Sequence, residues 1–170
     1  SAGLLENGIP GDLSDPTQVF LDRTVDATRR NKSGLEARAR LSEAVVYLYG
    51  VESILSQLRT EFSMVGVQHV QRLTGSQLPD LAVLVVCQEN LDLISKKGIE
   101  LRKRGIPILL VGINGDRFSL GPVSFIDFGA CTECYLSQMD FANVPQDPLL
   151  CSLIPSAVAL EVVLLLARVG

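Results

Sequence analysis

The sequence contains no tryptophan, few other aromatic residues and few charges. Aromatic residues make up 5% of its 170 residues and charged residues 20%, whereas 47% are hydrophobic. The core must therefore be built mainly from leucine, valine and isoleucine, which suits an α/β protein with buried strands. The length fits one domain of ordinary size.

Other features that would indicate a particular partner or compartment are also missing. Four cysteines are too few for a disulfide scaffold, and no signal-peptide pattern opens the sequence, so a cytoplasmic location is expected. The net charge of -4 provides no general attraction to nucleic acid. The longest apolar run, residues 149–169, contains Pro155, Glu161 and Arg168, so it predicts a buried helix and no membrane span.

Motifs of common enzymes are absent as well. No Gly-x-Ser-x-Gly, His-Glu-x-x-His or Gly-Lys-Ser/Thr motif occurs, and no catalytic residue is assigned. The single histidine, His69, lies in a predicted strand and receives no catalytic role. Asp80, Glu89 and Asp92 are expected near the carboxyl ends of the strands, where turn and capping roles explain them.

The order of the apolar segments predicts a mainly parallel sheet. Residues 44–49, 81–86 and 106–112 are continuous apolar runs, as in strands that are buried on both faces. Helical spacing of apolar residues follows in 51–62 and in 91–104, where Asn90 can cap the second helix. Strands that alternate with single helices indicate a Rossmann-like α/β fold, with helices flanking the sheet.

Shorter patterns complete this prediction. Residues 68–73 predict a further strand, and Asn114-Gly115 is a hairpin signal that predicts a short antiparallel excursion near 116–128. A final helix is expected from Pro155 onward. Residues 1–34 are rich in Gly, Pro, Asp and Ser and are interpreted as a linker or as the remnant of an N-terminal domain.

One segment carries a resemblance to a known family. Gly121-Pro122, Gly129 and the run Cys131-Thr132-Glu133-Cys134-Tyr135 resemble the signature of bacteriocin cyclodehydratase partner proteins, whose domain is ThiF-like, that is, adenylating-enzyme-like. The order of elements over residues 40–170 is similar to that family too. The resemblance implies that residues 35–170 form a degenerate ThiF-like α/β domain.

The resemblance also implies partners. Such proteins act beside YcaO-type enzymes, which use ATP to close Cys, Ser or Thr side chains of a ribosomal peptide onto its backbone to give azolines. The leading hypothesis is therefore a non-catalytic scaffold that presents a precursor peptide to a YcaO-type cyclodehydratase. An ATP-dependent ThiF-type adenylating enzyme is the alternative, and a structural domain that forms a homodimer through its apolar C-terminal helix is a third.

The turn Tyr49-Gly50-Val51-Glu52-Ser53 lies where an adenylating relative needs a glycine-rich phosphate turn. Only Gly50 remains there; Val51 carries a branched side chain, and Glu52 places a negative charge where phosphate would bind. Residues 68–73 contain no acidic residue that could bind a ribose. Gly50 is thus interpreted as a vestigial nucleotide turn, with ATP not expected as a cofactor.

Cys131 and Cys134 have the spacing at which two thiolates bind one zinc ion, which needs four ligands in a structural site. Three interpretations stay open. The favoured interpretation is that the two residues are ordinary thiols without metal. The second is a zinc site completed by Cys151, Cys87 or a dimer mate, and the third is a redox pair.

Overall fold

The computed structural model describes residues 14–28, 31–71, 78–125, 129–145 and 147–168. Within them, helices lie on both faces of a five-stranded sheet. The elements, in chain order, are α1 (Pro16–Thr28), α2 (Gly34–Glu43), β1 (Val45–Tyr49), α3 (Glu52–Val65), β2 (His69–Gln71), β3 (Leu81–Val86), a 3-10 turn (Gln88–Asn90), α4 (Leu91–Lys103), β4 (Ile108–Asn114), β5 (Arg117–Ser124), α5 (Thr132–Gln138) and α6 (Pro148–Ala167).

The sheet has the strand order β2-β1-β3-β4-β5. Its first four strands are parallel, and β5 runs antiparallel to β4. The mainly parallel α/β fold is therefore confirmed, and so is the antiparallel excursion, which begins at the Asn114-Gly115 turn as predicted. Gly115 has a φ of +58°, the left-handed conformation that such hairpin turns require.

The alternation of side chains along the strands divides the core between the two faces of the sheet. Val83 and Val85 of β3 point to the face covered by α2, α3 and α6, whereas Leu84 and Val86 point to the face covered by α4 and α5. All six residues of β3 are buried, because this strand lies between β1 and β4 with helices above and below. Continuous apolar runs are the sequence pattern of such strands.

Helix α1 lies within the segment interpreted from the sequence as a linker or domain remnant. Leu21 is fully buried in the core, and Phe20 packs against it. Asp15, just before the helix, forms an ion pair with Arg38 of α2 at 2.8 Å. Residues 14–28 thus pack onto the domain, while the domain boundary at residue 34 stays a prediction and residues 1–13 lie outside the described residues.

Helix α6 begins earlier than the sequence predicts. Its first turn starts at Pro148, with Asp147 as the N-cap whose Oδ1 accepts a hydrogen bond from the Leu149 amide at 2.8 Å. The prediction of a start at Pro155 is wrong, because that proline lies buried inside the helix. Among the described residues α6 alone is long and apolar enough to span a membrane, and 33% of its most apolar stretch is buried.

Ionisation of Tyr47 in β1 should make the free energy of unfolding decrease at alkaline pH. Burial, aided by Tyr49 and Glu100, raises the pKa of Tyr47 to about 12 from 10.0. A raised pKa in the folded state contributes stability that is complete below pH 10 and is lost as the pH rises toward 12. The loss amounts to about 2–3 kcal/mol for this residue.

We therefore expect Tyr47→Phe to flatten the decline of unfolding free energy over this pH range, measured by urea denaturation at several alkaline pH values. Burial also raises the pKa of Tyr135, so Tyr135→Phe is the matched variant, and the double variant should be flatter still. A Tyr47→Phe chain with the full wild-type pH dependence would contradict the assignment.

Candidate functional site

The candidate site lies at the carboxyl ends of β1 and β3. These two strands are neighbours in the sheet, and the helices that follow them, α3 and α4, pack on opposite faces. The chain therefore leaves the sheet in opposite directions at this point, which is the topological switch point of the sheet; the region between the two strand ends is called the crevice here. In open α/β sheets ligands bind in such a crevice.

Gly50 lies in this crevice, directly after β1, where it approaches the neighbouring strand closely. A Cβ at residue 50 would lie 2.7 Å from Val85 Cβ and closer still to the Val85 carbonyl oxygen. Its φ of +145° also belongs to the conformations that favour glycine. The packing of the turn against β3 is thus sufficient reason for a glycine here, whether or not a phosphate ever binds.

The first turn of α3 supplies the other half of the crevice. Its N-cap residue, Val51, makes no side-chain hydrogen bond to the helix. Glu52 follows in the first turn, and its Oε1 lies 2.6 Å from Arg59 Nη1. The carboxylate stabilises the helix end through the macrodipole and repels a phosphate, and the solvent-exposed ion pair with Arg59 offsets only part of its charge.

Backbone groups at the carboxyl end of β3 form hydrogen bonds with other residues of the chain. The Asn90 side chain accepts from the Cys87 amide at 2.9 Å and donates to the Val85 carbonyl at 2.9 Å. Asn90 therefore bonds backward to the strand end, and it makes no side-chain cap to α4 of the kind expected from the sequence. The Gln88 amide donates to Ala142 at 3.2 Å, so that the loop after α5 lies across this edge.

Removal of the Asn90 side chain should destabilise the chain, because it breaks both bonds at once. We expect Asn90→Ala to lower the free energy of unfolding by about 1–3 kcal/mol, measured by urea denaturation. Asn90→Asp keeps an acceptor for the Cys87 amide but sets a carboxylate oxygen against the Val85 carbonyl oxygen, so it should be less stable than wild type. Equal stability of all three chains would show that this bridge contributes nothing.

The segment that carries the family resemblance packs against α4 and β5. Gly129, at a φ of +94°, lies so close to β5 that a Cβ would be 2.7 Å from the Val123 carbonyl oxygen. Thr132 is buried against Gly98 of α4, where a Cβ on the glycine would lie 2.6 Å from Thr132 Cγ2. Gly129 permits close contact with β5, and Gly98 permits close contact between α4 and α5. The role of Gly98 was not predicted from the sequence.

Cys131 and Cys134 lie together at the start of α5, where the structure pairs them as a disulfide. Cys131 is the N-cap, and its sulfur accepts from the Cys134 amide at 3.1 Å. Cys87 is buried at the end of β3, and the Cys151 thiol donates to the Pro145 carbonyl at 3.1 Å. No group of three or more metal-binding side chains forms within the described parts of the chain, so neither cysteine completes a zinc site there.

A zinc ion shared with a second copy stays a prediction that elemental analysis of the purified protein tests.

The other polar candidates lie in three separate places. His69 is exposed on the short strand β2, and Glu89 and Asp92 are exposed beside the start of α4. The expectation that Asp80 lies at the carboxyl edge is wrong, because this residue precedes β3 and so lies at the amino edge. There its Oδ2 accepts from the Val45 amide at 2.8 Å and aligns β1 with β3.

A cavity of about 940 Å³ lies at the same amino edge of the sheet, away from the crevice. Its wall combines charged side chains with apolar residues of α6 and β5. It is lined by Arg40, Glu43, Ala44, Asp80, Leu81, Pro107, Val123, Phe125, Glu161, Leu164, Leu165, Leu166 and Arg168. These residues come from distant parts of the chain, so no local sequence pattern predicts the cavity.

The sequence matches no protein-family model and no curated protein. Solved structures share its fold. A heterocyclase in complex with substrate and cofactor is 20% identical with a TM-score of 0.65, and the heterocyclase TruD is 20% identical with a TM-score of 0.59; each match covers 80% of this chain. E. coli MccB, also solved with MccA and with ATP, is 9% identical over 81% of this chain, with a TM-score of 0.60.

The chain spans only part of these proteins, namely 21% and 22% of the two heterocyclase chains and 58% of the MccB chain. At these identities the likeness establishes the fold and nothing finer. The α/β domain described here is thus similar in fold to a domain of heterocyclases and of MccB.

Proposed function

We propose that this chain is a non-catalytic ThiF-like scaffold in the biosynthesis of azoline-containing ribosomal peptides, and that it presents a precursor peptide to a YcaO-type cyclodehydratase in the cytoplasm. The observation that carries this proposal is the state of the crevice between β1 and β3. The fold is similar to that of heterocyclases. The turn at Gly50, however, packs tightly against Val85, and the acidic residue Glu52 follows it in the first turn of α3.

Electrostatics support the loss of nucleotide chemistry. A phosphate at the start of α3 would lie beside the Glu52 carboxylate, whose charge is only partly offset by its solvent-exposed ion pair with Arg59. The approach of Gly50 to β3 also keeps this turn tight, whereas a phosphate loop needs several backbone amides turned toward the ligand. A domain can keep its fold after such a site has lost its ligand.

The compared structures support a peptide partner. One heterocyclase was solved with its substrate and MccB was solved with MccA, so domains of this fold occur in proteins that hold such molecules. A YcaO-type partner then supplies the ATP-dependent ring closure, in which a Cys, Ser or Thr side chain attacks the preceding backbone carbonyl. In this role the chain contributes binding and orientation.

The test is reconstitution with a YcaO-type enzyme and its precursor peptide. The chain should co-purify with the enzyme at stoichiometric concentrations and should increase the yield of azoline, detected as the loss of one water per ring by mass spectrometry. A peptide of the same composition in scrambled order is the matched control and should remain unmodified. Absence of both association and stimulation would contradict the proposal.

A second candidate function is ATP-dependent adenylation, because MccB, which shares this fold, has been solved with ATP. In that case the turn at Gly50 would bind phosphate in spite of Glu52. ATP with Mg²⁺ would then raise the melting temperature, since a ligand that binds only the folded state stabilises it. An unchanged melting temperature at saturating ATP would argue against this candidate.

A further inference from the structure

The cavity of about 940 Å³, called here the amino-edge cavity, forms where several elements begin or end on one side of the sheet. Helix α2 and strand β5 end there, strands β3 and β4 begin there, and the last two turns of α6 complete the wall. The volume is within the range of about 300–1,000 Å³ that is usual for ligand pockets. The fold therefore leaves room for a ligand on this side, whereas the turn at Gly50 on the opposite side packs tightly against Val85.

One part of the cavity wall is apolar. It consists of three consecutive leucines of α6, residues 164–166, together with Val123 in β5 and Phe125 directly after that strand. Val123 and the three leucines are half-buried and pack against the core, so rigid elements hold them in place. Ligand pockets combine such an apolar lining with a few polar groups that fix the orientation of the ligand. This wall therefore suits a ligand that has large apolar groups.

The charged part of the lining carries more negative than positive charge. It contains three carboxylates and two guanidinium groups, those of Glu43, Asp80, Glu161, Arg40 and Arg168. Arg40 Nη2 lies 3.0 Å from Oε1 of Glu36, which is outside the lining, so the charge of this cation is already partly offset. Glu43 and Glu161 form no ion pair within the parts of the chain that the structure describes. Two carboxylates are thus available to a cationic ligand.

The backbone adds to this negative potential. Helices α2 and α6 both end at the cavity, and their C-cap residues, Ala44 and Arg168, belong to its lining. The carboxyl end of a helix carries a partial negative charge and favours a cation near its last turn. The two helix ends and the excess of carboxylates therefore favour the same sign of ligand charge.

We propose that the amino-edge cavity binds a short peptide segment that combines lysine or arginine with large apolar residues. Its cationic side chains pair with Glu43 and Glu161, and its apolar side chains contact the leucines of α6. A bare metal ion does not fit, because no group of three or more metal-binding side chains forms among the described residues. The inference goes beyond the proposed function, which gives the presented peptide neither a place on the chain nor a composition, and it rests on that proposal for the choice of a peptide as the ligand.

Isothermal titration calorimetry with three synthetic peptides tests the chemistry of the site. The probe acetyl-Leu-Lys-Leu-Lys-Leu-amide should bind saturably, with one peptide per chain. Acetyl-Gly-Lys-Gly-Lys-Gly-amide keeps the charges without the apolar groups, and acetyl-Leu-Glu-Leu-Glu-Leu-amide reverses the charges. Each of these two should bind at least about tenfold more weakly than the probe. Absence of saturable probe binding, or equal affinity of the probe and either control peptide, would overturn the proposal.

The double variant Glu43→Gln/Glu161→Gln tests the role of the two carboxylates. It should weaken binding of the probe by roughly threefold to thirtyfold, as expected for the loss of two solvent-accessible ion pairs. Glu89→Gln/Glu133→Gln is the matched control, because it removes the same charge from two exposed residues outside the cavity. This control should bind the probe as wild type does. Equal weakening in the two variants would indicate a general attraction of the acidic chain for cations and would overturn the site.

Backbone amide NMR locates the bound probe without any substitution. Chemical shifts should change in residues 40–44 at the end of α2 and in residues 161–168 at the end of α6. Residues 49–53, at the crevice, should keep their shifts. Changes at residues 49–53 with none at the two helix ends would place the peptide in the crevice and overturn the amino-edge cavity as its site.

The site and the proposed function fail in different experiments. If the probe binds in the cavity but reconstitution with a YcaO-type enzyme fails, the scaffold function is contradicted and the peptide site is supported. If reconstitution succeeds but the probe does not bind, the amino-edge site is overturned and the scaffold function is supported.

Discussion

Replacement of Gly50 by alanine is expected to lower the free energy of unfolding by about 2–5 kcal/mol. Two effects add at this position. The new Cβ would overlap Val85, whose Cβ is 2.7 Å away, and the φ of +145° is strained for any residue with a side chain. Urea denaturation monitored by circular dichroism measures the change, and the loss should be the same with and without ATP.

Gly115→Ala is the control for the backbone effect alone. Gly115 also has a positive φ, of +58°, but the nearest atom to an added Cβ is Ala142 Cβ at 4.0 Å. This variant should lose only about 1–2 kcal/mol, the usual penalty of a left-handed conformation. If Gly50→Ala cost no more than Gly115→Ala, the contact with β3 would not be the reason for a glycine at the turn.

Phe62→Ala is expected to be comparably damaging, with a loss of about 3–5 kcal/mol in the free energy of unfolding. Phe62 lies on the inner face of α3 and, within the part of the chain that the structure describes, is the largest fully buried side chain. It belongs to the core shared by α3, α6 and the sheet, so its removal leaves a cavity between rigid elements. The same denaturation experiment measures the effect.

Met64→Ala, two residues further along α3, is the matched control. Met64 is 62% exposed, so its truncation should change the unfolding free energy by no more than about 0.5 kcal/mol. Similar losses for the two variants would contradict the placement of α3, because the buried and exposed faces of that helix would then be assigned incorrectly.

The sheet could be predicted from the sequence because its central strands are buried on both faces. The run 81–86 is apolar at every position, and it coincides with β3. Helices α1 and α5 could not be predicted in the same way. Helix α1 contains one short apolar cluster, and it buries Leu21 only because the rest of the domain provides a surface for it. The start of α6 was predicted at the wrong proline, because Pro148 and Pro155 are both residues that suit a first helical turn.

The candidate site was predictable in position but not in detail. The turn at Gly50 could be located because it follows an apolar strand and opens an amphipathic helix. The reason for its glycine is a contact with Val85, which is distant in sequence and becomes visible only in the folded chain. The hydrogen bonds of Asn90 and Asp80 likewise depend on which strand ends lie side by side. Chain order placed Asn90 correctly at the N-cap position of α4 but did not give its side-chain hydrogen bonds, and it gave Asp80 the wrong edge.

Isothermal titration calorimetry of the purified chain with ATP and Mg²⁺ tests most directly whether this fold has lost its nucleotide chemistry. We expect no heat of binding, because Glu52 and the packing of Gly50 against Val85 leave the crevice unsuited to phosphate. Saturable binding of one ATP per chain, weakened by substitution of Gly50 and strengthened by Glu52→Gln, would contradict this expectation and favour the adenylating alternative.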